Sequence, residues 1–271
     1  MSIITVSRGS YSRGKEVAEK VAQGLGYECL SRDVLLEASD QFHIPEIKLV
    51  RAIHDAPSVL NRFTHGKEKY IAYIRSALLK HVKRDNVVYH GLAGHFFLQG
   101  ISHVLKVRVI ADLEDRVKEE MKREGISAEE ARYTLMKDDD ERRKWGLQLY
   151  GHDTKDCSLY DLVVHIKTKT VEDAVDLVMY AARLPCYQTT PETQQMIEDL
   201  ALAAEAKAAL VDEFPNSETF SKEGVVSVRI DAPPIQEKQV VEKVKKILEK
   251  MDGVQEVRVH VIPFPLVGGG E

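Results

Sequence analysis

The sequence is poor in cysteine. Cys29, Cys157 and Cys186 are odd in number, far apart and without a C-x-x-C pair, so neither a disulfide framework nor a zinc site is indicated. No stretch of eighteen apolar residues occurs, and the start shows no basic segment followed by a long apolar one. No membrane partner is therefore expected, and the chain reads as cytoplasmic. A basic surplus is missing too. The net charge of −5 and a pI near 6.1 give no global pull toward nucleic acid, so no nucleic-acid partner is expected. A local basic site for phosphate stays open. There is no internal repeat. What is present is ordinary for a globular protein, 44% apolar and 30% charged over 271 residues, enough for one large or two modest domains.

The most informative stretch comes first. The apolar run Ile3-Ile4-Thr5-Val6 predicts a buried strand, and Val17, Ala18, Val21, Ala22 and Leu25 fall on one face of a helix over 15–25. Between them, Gly9 to Lys15 spells G-x-x-x-x-G-K. A loop of this kind holds phosphate through backbone N–H groups aimed into one concavity, with a helix N-terminus behind them. Gly9 and Gly14 allow the tight turn, and Lys15 supplies a point charge for the β- and γ-phosphates. Glu16 stands where Ser or Thr is usual. Arg13 sits where small residues are usual, either adding charge toward the phosphate or obstructing it.

Strand and helix then alternate. A second strand is expected near 27–30, and a helix from an N-cap at Ser31 to Asp40. Residues 44–66, with Pro45, Pro57 and Gly66, read as a mobile or substrate-covering stretch. An amphipathic helix follows over 67–84, a strand over 86–89, a glycine loop over 90–94 and a strand over 103–111. Two charged helices, 113–124 and 127–149, meet at Gly125, with Ser127 and Glu130 as a capping box. A polar loop over 151–158, a strand over 161–166 and a helix over 170–183 complete the series. Such alternation predicts a parallel sheet with helices on both faces. Pro185 and Pro191 mark a linker over 185–191, which separates a domain over 1–184 from a small α+β domain over 192–271. The latter is read as helix, strand, helix, strand.

Several candidates have plain readings beside the chemical ones. Arg142 and Arg143 follow Asp138, Asp139, Asp140 and Glu141, a run that suits a solvated, self-paired helix face as well as a cationic lid. Asp33 in a first helical turn favours the macrodipole whatever it binds. His90 and His95 flank a glycine loop without metal-ligand spacing, and no metal site is assigned to protein side chains. Trp145 and Tyr150 read as packing, and Asp153 and Asp156 as polar loop residues.

The opening I-T-V-S-R-x-x-x-S-x-G-K-E-V-A resembles the cytidylate kinase-like family, whose members typically begin I-T-I-S-R-x-x-G-S-G-G-R-E-I-A. Further along, Ala111-Asp112-Leu113-Glu114, Arg116, Arg123-Glu124-Gly125-Ile126-Ser127, Gly151-His152-Asp153 and Ser158-Leu159-Tyr160-Asp161-Leu162-Val163 are similar to the same family. The likeness covers about residues 1–184. It implies a P-loop nucleoside monophosphate kinase fold, with ATP and Mg²⁺ and a closing lid. Gly9, Ser12, Arg13, Gly14, Lys15 and Glu16 would surround the ATP phosphates. Arg32 and Asp33 would contact the monophosphate, and Arg142 and Arg143 would be lid arginines acting with Lys15 in catalysis. Glu16 matches much of the family, whereas Tyr11 and Arg13 replace glycines. Leu92 stands where the family often has an arginine after glycine.

The last eighty residues resemble BON-type domains through Gly253-Val254-Gln255-Glu256-Val257. Such a module suggests self-association into a homo-oligomer, or sensing of a ligand. The expected activity is phosphoryl transfer from ATP to a nucleoside monophosphate (CMP-like) or a related small phosphorylated acceptor. The alternative is a weakly active or inactive nucleotide-binding regulatory protein. A kinase-fold scaffold acting through protein contacts is a third reading.

Overall fold

The computed structural model describes residues 2–9, 12–31, 33–43, 67–91 and 93–263. Contacts divide them into two units, the described residues of 1–64 with 84–193 and those of 65–83 with 194–271. The helices among them are α1 (Gly14–Leu25), α2 (Asp33–Phe42), α3 (Lys67–Val82), α4 (Gly94–Phe97), α5 (Leu113–Glu124), α6 (Ala128–Tyr150), α7 (Val171–Ala182), α8 (Pro191–Leu210) and α9 (Glu237–Leu248). None is long and apolar enough to cross a membrane.

The first unit is built on five parallel strands. β1 (Ile3–Arg8), β2 (Glu28–Leu30), β3 (Val87–Tyr89), β4 (Val104–Ala111) and β5 (Leu162–Ile166) lie in the order β2-β3-β1-β4-β5. Parallel neighbours need crossovers, and helices supply them. One face carries α1 and α7, whose Val17, Val21, Val171 and Val178 are buried against Val6, Val107, Val109 and Val164. Successive strand residues point to opposite faces. The register pairs Ser7 with Arg108, Arg108 with Val163 and Ile110 with His165, so these residues share the other face. There α4 packs against β1. Helices α5 and α6 form a hairpin with its own small core of Val117, Ala131 and Leu135. Ser127 and Glu130 cap α6 reciprocally, as the sequence predicts.

The second unit joins α3 to the C-terminal residues. The Tyr73 hydroxyl donates to Asp212 at 3.0 Å, Lys69 pairs with the same carboxylate, and Gln194 donates to the Lys83 carbonyl at 2.8 Å. Its sheet has β6 (Glu218–Lys222) antiparallel to β7 (Val225–Ala232), and β7 parallel to β8 (Glu256–Pro263). Leu210, Val226, Val228, Val244 and Leu248 form its core.

Some elements depart from expectation. β6 is an added strand, so the order from residue 191 onward is helix, strand, strand, helix, strand. Its hairpin turns on Glu223 and Gly224, both at positive φ (48° and 82°), the two-residue turn whose twist suits paired strands. The polar run Glu-Thr-Phe-Ser-Lys hides the strand, because only Thr219 and Ser221 face inward. Helix α2 begins at Asp33, two residues after Ser31. The linker prediction meets a short 3-10 turn at Pro185–Tyr187, and α8 starts at Pro191 behind a reciprocal Thr190–Thr193 cap. The stretch 44–66 lies outside the described residues.

Candidate active site

A cleft of about 1380 Å³ opens at the C-terminal ends of the parallel strands, where open α/β sheets bind ligands. Its wall on one side is the sheet face bearing Ser7, Arg108, Ile110, Val163 and His165, and on the other it is α6. Basic side chains dominate: Arg8, Arg108, Arg116, Arg142, Arg143 and Lys155 line it against Asp112, Asp139 and Asp140. A concave, cationic site of this kind concentrates anions.

Gly9 and Ser12 of the β1–α1 connection line the rim of the cleft. Gly14 starts α1 so close to β1 that a Cβ there would lie 2.7 Å from the Arg8 Cβ, so no larger residue fits without moving the strand. Arg13, the N-cap, is left-handed (φ 61°, ψ 11°), a conformation that suits glycine. This accounts for the glycine of the family pattern at that place. The Arg13 guanidinium is held by the Glu16 carboxylate at 2.9 and 2.7 Å, and Lys20 pairs with Glu16 at 3.1 Å. Partial burial raises the Glu16 pKa, but Lys20 and Arg13 outweigh it and hold the carboxyl below its usual range. Ser12 is fully buried, and its hydroxyl lies 2.8 Å from the Val109 carbonyl and 3.1 Å from that of Gly9. One proton serves this pair of carbonyls, so Ser12 shapes the loop from within.

The predicted site residues are only partly gathered. Gly9, Ser12, Arg142 and Arg143 line the cleft; Arg13, Gly14, Lys15 and Glu16 do not. Lys15 is 60% exposed and pairs loosely with Glu19 at 3.6 Å. Arg142 reaches across to the Arg8 carbonyl at 3.3 Å, joining α6 to the end of β1. Arg143 lies 3.6 Å from both Asp140 and Asp153. Arg32 and Leu92 lie outside the described residues, as do Ser10, Tyr11 and the side chain of Asp33. Trp145 is buried, and Tyr150 stacks on Phe96 at 4.3 Å, so both pack as expected.

Other groups in the cleft have no role assigned from the sequence. The Tyr160 hydroxyl sits within reach of Ser7 Oγ (3.3 Å), the Thr154 carbonyl (2.9 Å), Arg108 Nη1 (3.1 Å) and His95 Nε2 (3.5 Å). It thereby ties β1, β4, the loop after α6 and the start of α4 together. Burial, then Arg108 and Lys106, push His95 down to about 3, so its imidazole is neutral. Arg116 is buried beside Gly9 and paired with Asp139 at 2.8 Å. Asp112 accepts from Lys167 (2.7 Å) and His165 (2.9 Å), and Lys167 chiefly holds it below the usual carboxylate range. Two positions here depend on glycine: a Cβ on Gly91 or Gly94 would collide with the Tyr89 side chain. Sequence reasoning missed Arg8, Arg108 and Tyr160. A signal existed for Arg108, since a parallel sheet buries both faces and a charge alternating with Val107 and Val109 needs a reason to be there.

The sequence model of the cytidylate kinase-like family matches residues 3–168. The chain belongs to the cytidylate kinase-like family. Cytidylate kinase of Thermococcus kodakarensis is 37% identical over 83 residues, 31% of this chain and 42% of that one. Cytidylate kinase of Pyrococcus horikoshii is 33% identical over 99 residues, covering 36% of this chain and 50% of the relative. For cytidylate kinase of Ignicoccus hospitalis the identity is 27% over 178 residues, 66% of this chain and 97% of the relative. The chain thus spans about half the length of the first curated relatives it matches. An uncharacterized protein from Eubacterium ventriosum shares the fold, with a TM-score of 0.52 and 18% identity over 67% of this chain and 98% of that one.

The family match ends at residue 168, before the C-terminal part of the second unit. There Gly253 makes a positive-φ turn, Val254 packs against the core and Val257 is buried, so packing accounts for the G-V-x-x-V run that carries the BON likeness. Membership in the cytidylate kinase-like family implies ATP with a divalent cation in general, and the cleft fits the phosphates of such a ligand. Its cations outnumber its carboxylates, and Gly9 and Ser12 of the glycine loop line it. Among the described residues no group of three or more His, Cys, Asp or Glu side chains forms a metal cage. A nucleotide-borne Mg²⁺ needs none, because it is held mainly by phosphate oxygens and water.

Proposed function

We propose that this chain is a nucleotide kinase moving the γ-phosphoryl group of ATP to a nucleoside monophosphate, CMP-like, or to a related small phosphorylated acceptor. The observation that carries this is the cationic cleft joined to the glycine loop, with Arg142 of α6 reaching the end of β1 at 3.3 Å. ATP supplies an activated phosphoryl group, and the acceptor phosphate supplies the attacking oxygen, so no protein nucleophile is required. The chain's task is to place the two and to neutralise charge on the transferred group.

Interaction strengths suggest which cations serve. Lys15 is held by one exposed pair, a kind worth about 0–1 kcal/mol, which a phosphate displaces readily. Arg143 is likewise held by long, exposed contacts of 3.6 Å. Arg116, buried and at 2.8 Å from Asp139, is committed to α6 and braces the hairpin. In this reading Gly9, Gly14 and Lys15 take the donor phosphates, with Ser12, Arg13 and Glu16 shaping the loop around them. Arg142 and Arg143 close on the transferred group, and Arg32 and Asp33 contact the acceptor.

The test is ADP formation from ATP and Mg²⁺ across a panel of monophosphates, CMP first. Turnover is expected with at least one, and Lys15→Ala should lower kcat by about 10³-fold. ATP binding without turnover on any acceptor would replace this reading with the regulatory one. No nucleotide binding at all would leave a scaffold.

A further inference from the structure

Arg108 is half-buried on the floor of the cleft, and its partners are neutral. Its Nη1 donates to the Thr154 carbonyl and to the Tyr160 hydroxyl at 3.1 Å, and its guanidinium lies 5.3 Å from the Tyr160 ring centre. Among the described residues no carboxylate is paired with it. Arg116 in the same cleft shows the other solution, a carboxylate at 2.8 Å. Withdrawing a guanidinium from water without a counter-charge is costly, and the cost is recovered when an anion arrives. Nη1 is spent on holding the group in place. Nε and Nη2 keep the forked donor edge that matches two phosphate oxygens. The neighbouring His95 is neutral and adds no competing charge.

Position tells which phosphate is meant. In the nucleotide-kinase reading the donor phosphates lie with Gly14 and Lys15 at the start of α1, which packs on one face of the sheet, whereas Arg108 projects from the opposite face, paired in register with Ser7. Donor and acceptor oxygens approach the transferred phosphorus from opposite sides, roughly in line. A cation across the sheet from α1 therefore belongs to the acceptor. Resting on the nucleotide-kinase reading above, we infer that Arg108 binds the phosphate of the acceptor nucleoside monophosphate, with Tyr160 as the positioning residue that holds its guanidinium.

The experiment compares Arg108→Ala, Arg108→Lys and Tyr160→Phe with the wild type, varying CMP at saturating ATP. ATP affinity is measured separately without acceptor. Arg108→Ala should raise KM for CMP about tenfold or more and leave the Kd for ATP within about twofold. Arg108→Lys keeps the charge but loses the fork, and should fall between. Tyr160→Phe should raise KM for CMP by about threefold, and should add nothing further in an Arg108→Ala background. If Arg108→Ala fails to fold, Arg108→Lys decides. An active wild type whose Arg108 variants keep KM for CMP, or lose ATP affinity equally, overturns this inference alone. A wild type inactive on every monophosphate overturns the kinase reading, and this inference with it.

Discussion

Arg108 on β4 and Arg258 on β8 each alternate with inward-facing valines and face away from them, yet their surroundings are opposite. Arg258 lies in the open, with both oxygens of Glu256 at 2.8 and 2.9 Å, and its neighbour Arg229 lies 3.6 Å from Glu218. Arg108 is half-buried among a carbonyl, a phenol and a neutral imidazole. Exposed pairs are screened by water and salt and contribute little, but they keep an open sheet face from attracting other chains. A charge left uncompensated inside a concavity has a different use. The first sheet keeps its charge for a ligand, while the second neutralises its own.

The strongest way to break this contrast is acid. His95 sits at about 3 when folded and near 6.5 when unfolded. Above pH 6.5 both states are neutral there and stability is unaffected. As pH falls from 6.5 toward 3 the unfolded chain takes up a proton that the folded one refuses, so stability declines over that window, by up to about 4–5 kcal/mol. Urea midpoints from pH 7 to pH 4 should fall for the wild type and fall less for His95→Gln. Equal slopes would mean that the cleft floor is not the acid-sensitive place.

A smaller effect is expected at the rim. Gly14→Ala should cost about 1–3 kcal/mol through the Arg8 contact and should weaken nucleotide binding with it. Full retention of Tm and of ATP affinity would show that the start of α1 yields freely. The smallest effect belongs to the second sheet. Arg258→Ala should leave Tm within about 1 °C and turnover unchanged. A marked loss of either would end the claim that its charges only neutralise one another.

Much of the first unit was legible because local and global signals agree in it. Ile3 to Lys15 reads as strand, glycine loop and helix start at once, and the Ser127–Glu130 box fixes a helix start by chemistry confined to four residues. The rest depends on partners distant in sequence. Residues 67–84 read correctly as an amphipathic helix, but nothing in them announces that Tyr73 and Lys69 meet Asp212. Strand β6 turns only the polar Thr219 and Ser221 inward, and its hairpin lacks the usual Asn-Gly signal. The site divides in the same way. Spacing pointed to Gly9 and Gly14 and the family resemblance to Arg142, while Arg108 and Tyr160 become partners only when β4 and the loop after α6 come together.

Tyr89 and its glycines carry a further consequence, for inheritance rather than for binding. The ring occupies the space that side chains at positions 91 and 94 would need, so the three positions form one heritable character. A lineage that keeps the tyrosine must keep both glycines. One that shrinks it frees both places at once, and the cleft rim can then acquire side chains that no single substitution in the present chain would permit.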